Sequence, residues 1–451
     1  MALPDYNPYR MDDAWFMSFV YQSYVKRINT DEVFGGDISN GYGGTQLFGK
    51  IYTNFYGFFA TSFHRWDKHF FYFISGSFVL MSAGIFGLIA RQLTTPLPVA
   101  IIYSFCLVYM DVFFSTAHLV RVEAFILFFS SLAAWFTLRQ WYGSAICATA
   151  IALETHPTGS VALFLMIPIV FYSKPNFQLP LYSTILKLLV ICTACIATYL
   201  WLHPDAFSRF QELKQASNIL DLNNNFLYAY YFETRYFRKI PELILLLICV
   251  IYAINMCVKQ PLLSEDKLIF SWFILSILFS ILIGRGNWSY AVLVYPAFVL
   301  LIIRVALNYD KIIQLFMVLW ILYTVQYIAL YSINQRHPLS SEYSAVYTDY
   351  VREHFKSTGL PIIGLPNDYF NFYDKTFYVL CYVNADKFEK NVKKAILIQH
   401  TEAYLKRYYM NSVCENYLNI QNKYNKVLLK EFEYLDEDIY IYEIDIKPPT
   451  E

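Results

Sequence analysis

FFYFISGSFVLMSAGIFGLIA, residues 70–90, is the stretch that decides the fold class. It runs 21 residues without a charged side chain, and about 20 mostly apolar residues are enough for a helix to cross the hydrocarbon core of a bilayer. The same reading applied outward gives further apolar segments at 97–114, 118–138, 141–154, 156–172, 183–202, 241–258, 267–284, 288–307 and 311–333. Composition agrees. Hydrophobic residues make up 57% of the 451 and charged residues only 16%, where a soluble domain carries roughly a quarter charged. Aromatic residues reach 19%, with 40 Tyr and 39 Phe, suited to membrane interfaces and to sugar or lipid grooves. The formal net charge is +0, so no nucleic-acid partner is expected.

Residues 336–451 differ in kind: charged, rich in Tyr and Asn, and without a long apolar run. Segments 375–383 and 438–446 read as strands there, and 386–395 and 401–412 as helices. The expected fold is therefore a polytopic α-helical membrane protein of about ten spans with a small α+β extracytoplasmic C-terminal domain. The expected divisions are an external loop with interfacial helices (1–69), a transmembrane helical domain (70–335) and a soluble periplasmic or lumenal domain (336–451).

Orientation follows from the Lys/Arg bias of short loops. With the N-terminus outside, the inside loops hold Arg91, Arg139, Lys174, Lys259, Lys267, Arg304 and Lys311. The outside then receives residues 1–69, the 115–120 turn, Glu154 and His156, the 203–240 loop, the 284–287 turn and the tail. The first twelve residues lack the apolar core of a signal peptide. An outside N-terminus then implies either that a first span is missing from this chain or that residues 1–69 translocate with the first span present. Six of the eight cysteines lie in apolar segments, where Cys acts as a small hydrophobe. The other two, Cys381 and Cys414, are a disulfide candidate if the tail lies outside the cytosol.

Four short stretches on the outer face carry chemistry. Asp12-Asp13 precedes an aromatic stretch; a carboxylate at a low-dielectric surface can act as a general base, or the pair simply caps and decorates a helix start. Arg121-Val122-Glu123 opens a span, and Arg121 either binds a phosphate or pairs with Glu123 across the interface. Glu154-Thr155-His156-Pro157 forms a short hairpin tip, structural or head-group binding. Arg285 sits between Gly284 and Gly286, free to meet an anion or to anchor at the interface. Acids and bases at one rim, with few charges at mid-span, fit an enzyme at the membrane surface better than a transport pathway.

In order along the chain these stretches resemble the C-type integral-membrane glycosyltransferases, in the branch of dolichyl-phosphate-mannose–protein mannosyltransferases and aminoarabinose lipid A transferases. The resemblance rests on Asp12-Asp13 followed by Ala14 and aromatics, on Leu47-Phe48-Gly49, and on Arg121-Val122-Glu123, where relatives show Arg-Pro-Glu or Arg-Pro-Asp. It rests also on Thr155-His156-Pro157-Thr158-Gly159 within 150–164, and on Asn287, Tyr290 and Pro296. It covers about residues 5–305. The second acid is Asp where Glu is usual, and His156 stands where Lys is often found. The resemblance implies transfer of a sugar from a polyprenyl-phosphate donor to a lipid, glycan or protein acceptor, with inversion. Asp12, Asp13 and Glu123 would be the catalytic acids, and Arg121, His156 and Arg285 the donor-phosphate ligands. It leaves open whether a divalent cation sits at Asp12 and Asp13, and implies no other cofactor. The implied location is a bacterial inner membrane with the site facing the periplasm. A transporter or flippase of a lipid-linked glycan, and an inactive relative, are the alternatives.

Overall fold

The computed structural model describes residues 11–28, 49–93, 95–172, 180–202, 263–283, 288–308, 358–379, 385–400, 424–432 and 438–446, with scattered helical positions within 244–258, at 318 and within 347–355. The chain divides into two compact units. One comprises residues 1–47, 52–72 and 331–451; the other comprises 48–51 and 73–330.

The larger unit is helical. Its helices are the end of α3 (Lys68–Gln92), then α4 (Leu97–Tyr109), α5 (Asp111–Ala117), α6 (Glu123–Leu138), α7 (Tyr142–Thr155), α8 (Val161–Tyr172), α9 (Leu181–Leu202), α10 (Ser264–Ile283) and α11 (Tyr295–Asn308). Small side chains let them approach closely. Ala133, Ala145, Ala148, Ala152 and Ala162 pack with Met166, Val170, Ile191 and Cys195 where α6, α7, α8 and α9 meet. Two buried tethers add direction. The Tyr103 hydroxyl donates to the Pro296 carbonyl (2.7 Å), linking α4 to α11. The Trp272 indole donates to the Leu165 carbonyl (2.5 Å), close to Pro168, which interrupts the ladder of α8.

The expectation of about ten spans is not met. Among the described residues two helices are long and apolar enough to cross a membrane, Lys68–Gln92 and Tyr182–Leu202. The apolar runs are present, but local breaks cut them short. Met110 adopts an extended ψ of 138° and splits 97–117 into helices of 13 and 7 residues. The helix read from 118 starts only at Glu123 and has 16 residues. A 3₁₀ turn at Pro157–Ser160 leaves α8 with 12, and another at Trp288–Leu293 precedes the 14 of α11. At 1.5 Å per residue such helices rise roughly 10–24 Å, against ~30 Å of hydrocarbon. In α6 and α11 the apolar surface is spent on protein contacts: residues 124–127 and 297–303 are all buried. α10 begins with Glu265, Asp266 and Lys267, and both acids are buried. The two candidate spans differ as well. Only 11% of the apolar window of α9 is buried within the protein, against 56% for α3. The segments 241–258 and 311–333 fall mostly outside the described residues.

The smaller unit holds α1 (Met11–Tyr21), most of α2 (Lys50–Ser62), the start of α3, and a five-stranded mixed sheet of order β2-β1-β3-β5-β4. The strands are β1 (Ile362–Gly364), β2 (Phe377–Val379), β3 (Lys394–His400), β4 (Asn425–Phe432) and β5 (Ile439–Asp445); α12 (Ala385–Asn391) joins β2 to β3. β1 runs parallel to both β2 and β3, while β5 pairs antiparallel with β3 and β4. The expected strands at 375–383 and 438–446 contain β2 and β5. β3 begins at the end of the segment read as a helix (386–395), and residues 401–412 lie outside the described residues. α1 packs on the 3₁₀ turn Pro366–Asn371. Tyr21, Trp66 and Tyr373 form a ring cluster with centroids 4.9–5.9 Å apart.

Candidate functional site

In the helical unit, antiparallel succession brings the turns after α5 and α7 and the turn before α11 to one end: both α5 and α6 touch the Trp288–Leu293 turn, and α6 touches Pro157–Ser160. The opposite end carries the Arg304–Asp266 ion pair (2.6 Å) and the Gln92 amide donating to the Leu138 carbonyl (3.3 Å). Arg121, Glu123, Glu154, His156 and Tyr290 therefore share one end of this unit.

Arg121 and Glu123 flank Val122, the N-cap of α6, and Glu123 is the helix's first residue. His118 closes α5 with its Nδ1 at 2.7 Å from the Phe114 carbonyl, and the chain turns through Leu119–Val122, a segment without an exposed residue. Arg121 Nη2 donates to Glu123 Oε1 (2.7 Å), and Arg121 Nε reaches both carboxylate oxygens (3.1 Å each). The two side chains are 9% and 1% exposed. Glu123 also occupies the first turn of α6, where the helix dipole favours an anion. The pairing with Glu123 expected as one of the two readings of Arg121 is present.

Glu154 is buried, and its oxygens accept from the Ile51 amide at 3.2 Å each, closing the N-terminus of α2. The Gly49 amide donates to the Thr155 carbonyl (3.1 Å). A Cβ at Gly49 would run into the Glu154 carbonyl and carboxylate, so position 49 needs a glycine to lie this close to α7. Glu154 is thus a helix cap.

His156 stands in extended backbone (φ −167°, ψ 151°) and caps the Pro157–Ser160 turn with its own side chain. The Thr158 amide donates to His156 Nδ1 (3.2 Å), and Thr158 Oγ1 lies 2.9 Å from the same nitrogen. The ring stacks on Tyr290, centroids 6.4 Å apart and planes 24° apart. Gly159 lets this turn sit on α7, because a Cβ there would collide with the Ala152 carbonyl.

Asp13 lies in the other unit, in the first turn of α1. It is 2% exposed and accepts from the Tyr72 hydroxyl (2.8 Å); the solvated position expected of it as a bland helix-start residue is not what is seen. The side chain of Asp12, together with Arg285, Cys381 and Cys414, falls outside the described residues. The four described free cysteines are Cys106, Cys147, Cys192 and Cys195. Among the described residues no group of three His, Cys, Asp or Glu side chains is placed to hold a metal ion.

Two polar arrangements escape sequence reading. Asp368 is buried beyond the C-terminal end of β1 and accepts from the Leu365 amide (2.9 Å), the Tyr347 hydroxyl (3.0 Å) and His400 Nε2 (3.1 Å). The Pro366-Asn367-Asp368 turn is its sequence signal; His400, the last residue of β3, carries none. Asp67 caps α3 by accepting from the Phe70 amide (3.0 Å), and it takes Arg65 Nε at 2.8 Å. Burial pushes the Asp67 carboxyl up, but the Arg65 hydrogen bonds, the Phe70 amide and the charges of Arg65 and His69 outweigh this and hold it below its ordinary value.

Scans against protein-family models, curated proteins and solved structures find nothing that matches this chain.

Proposed function

We propose that the chain is a membrane-associated glycosyltransferase. It would move a sugar from a polyprenyl-phosphate donor to a lipid, glycan or protein acceptor on the extracytoplasmic face of a bacterial inner membrane. The supporting observation is the gathering of Arg121-Val122-Glu123, the His156-Pro157-Thr158-Gly159 turn and Tyr290 at one end of the helical unit, although up to 169 positions separate them. Membrane association is supported by the two helices long and apolar enough to cross a bilayer.

In the proposed step, an acceptor oxygen bonds to the anomeric carbon as the bond from that carbon to the phosphate oxygen breaks. The acceptor proton passes to Asp12, the proposed base. Polyprenyl phosphate departs with the electron pair, and Arg121, His156 and Arg285 are the groups proposed to meet its charge. Asp13, held by Tyr72, would orient the acceptor. Glu123 would fix the Arg121 guanidinium, so that only part of its donor fork faces the phosphate.

The test is transfer of radiolabelled sugar from a panel of polyprenyl-phosphate donors, in membranes carrying the wild-type chain or Asp12→Asn. Transfer that the substitution abolishes while expression holds supports the reading. Absence of transfer from every donor in the wild type overturns it.

A further inference from the structure

The sheet of the smaller unit ends in an open side. In the order β2-β1-β3-β5-β4, β4 pairs with β5 and, among the described residues, with no strand beyond it. Such an edge presents a row of unpaired N–H and C=O groups that invites another strand, and proteins usually keep it short or polar. β4 is eight residues long (Asn425–Phe432). Its middle is apolar and faces solvent, with Val427 64%, Leu428 50% and Leu429 39% exposed.

A bulge decides which side chains share a face. Leu428 lies opposite Tyr442 and Lys430 opposite Ile441, so Leu429 is one residue more than β5 can match. Lys426 and Glu431 are an odd number of positions apart and would point to opposite sides of a regular strand. The extra residue brings them to the same side. Lys426 stands opposite Ile444 and Glu431 opposite Tyr440, on one face of β5, and Leu428 stands opposite Tyr442 between them. In the register of β5, this face of the edge reads cation, leucine, anion at equal spacing.

Turned antiparallel, that series complements itself. Lys426 meets Glu431, Leu428 meets Leu428, and Glu431 meets Lys426. Opposite charges and apolar pairs directly facing each other stabilise antiparallel strands, and a two-fold axis at Leu428 forms both ion pairs at once. Lysines on an edge can instead keep other strands away, but these two are drawn back over their own sheet. Lys426 Nζ donates to Gln399 Oε1 on β3 (3.0 Å), and Lys430 Nζ lies 5.9 Å from the ring centroids of Tyr350 and Phe432. On pairing, the Lys426 ammonium would exchange a neutral amide for a carboxylate, the stronger acceptor.

We propose that β4 joins two copies of this chain, antiparallel and edge to edge about a two-fold axis at Leu428, so that one sheet runs through both. The proposal stands apart from the glycosyltransferase reading and needs neither a donor nor an acceptor.

The test is the mass of the full detergent-solubilised chain, measured by size-exclusion chromatography with light scattering over a range of loading concentrations. The wild type should pass from monomer to dimer as concentration rises. Lys426→Glu and Glu431→Lys each set like charges against each other at two places, and each should weaken dimerisation roughly tenfold or more. Both positions lie on the exposed side of β4, and unchanged far-ultraviolet circular dichroism would show that the fold is kept. Mixing the two variants should restore dimers, now made of one chain of each kind, because every cation again faces an anion. A wild type that stays monomeric at every loading concentration overturns the proposal. So does a dimer that both single variants leave intact, since it would form through another surface. Variants that weaken dimerisation singly but fail to pair when mixed refute the antiparallel register.

Discussion

Replacing Glu123 by Gln removes one charge from the Arg121–Glu123 pair while keeping size and shape. Both partners are buried, at 9% and 1% side-chain exposure, and joined by contacts of 2.7 and 3.1 Å. Taking away one member leaves the guanidinium in a low-dielectric site without its counter-ion, a change that typically costs about 3–5 kcal/mol. Loss of the acid from the first turn of α6 adds about 0.3–1 kcal/mol through the helix dipole. The ratio of folded to unfolded chain should therefore fall by more than about a hundredfold. Urea titration of the detergent-solubilised chain, followed by far-ultraviolet circular dichroism, reads this as an earlier transition. The double variant Arg121→Met, Glu123→Gln removes both charges and should regain much of the loss. Lys394→Met, on a pair exposed by 53% and 37%, is the reference and should move the transition hardly at all. If Glu123→Gln shifts the transition no more than Lys394→Met, the ion pair does not hold the start of α6 and the reasoning fails.

Three further outcomes follow from single contacts. Gly49→Ala would drive a methyl group into Glu154 and should cost about 1–3 kcal/mol by overpacking, measured as a lower melting temperature, whereas Gly143→Ala, in open space, should leave it unchanged or raised. Asp67→Ala removes the cap of α3 at about 0.5–2 kcal/mol; because the folded carboxyl lies below its ordinary value, its contribution is present above that ordinary value and disappears as pH falls through the lowered one, so the wild type should lose stability on acidification with a slope that Asp67→Ala lacks. Asp368→Leu removes the acceptor shared by the Leu365 amide, the Tyr347 hydroxyl and His400 and should cost at least about 1–3 kcal/mol, read as early loss of hydrogen-exchange protection in β1 and β3; protection equal to wild type would show that the cluster is not what ties those strands together.

Where the helices lie was legible in the apolar runs, and what they face was not. Residues 123–138, 142–154 and 161–172 are helical within the segments the sequence marks out, but a run of Ala, Ile and Phe reads alike whether a neighbouring helix or a lipid tail receives it. The alanines of α6, α7 and α8 show the difference. Their value lies in close helix approach, and a hydropathy sum counts them as membrane. Length was misjudged for a local reason. Met110 and the residues before Glu123 carry no Gly or Pro to mark the breaks, so segments of 18 and 21 positions concealed helices of 13 and 16 residues. In the tail, β3 was missed because Ala395-Ile396-Leu397-Ile398 is a solid apolar run, suited to a strand buried between neighbours on both sides, and alternation never appears in such a strand.

Site residues were legible as chemistry and illegible as roles. Arg121, Glu123, Glu154 and His156 were singled out because charge or a titratable ring beside apolar sequence demands an explanation. The structure gives three different ones. Glu123 neutralises Arg121, Glu154 closes α2, and His156 closes a 3₁₀ turn. Each meets the cost of burial through a partner that sequence spacing alone does not reveal: two residues away for Glu123 and His156, but 103 for Glu154. The His156 partner is a main-chain amide, invisible to any reading of side chains.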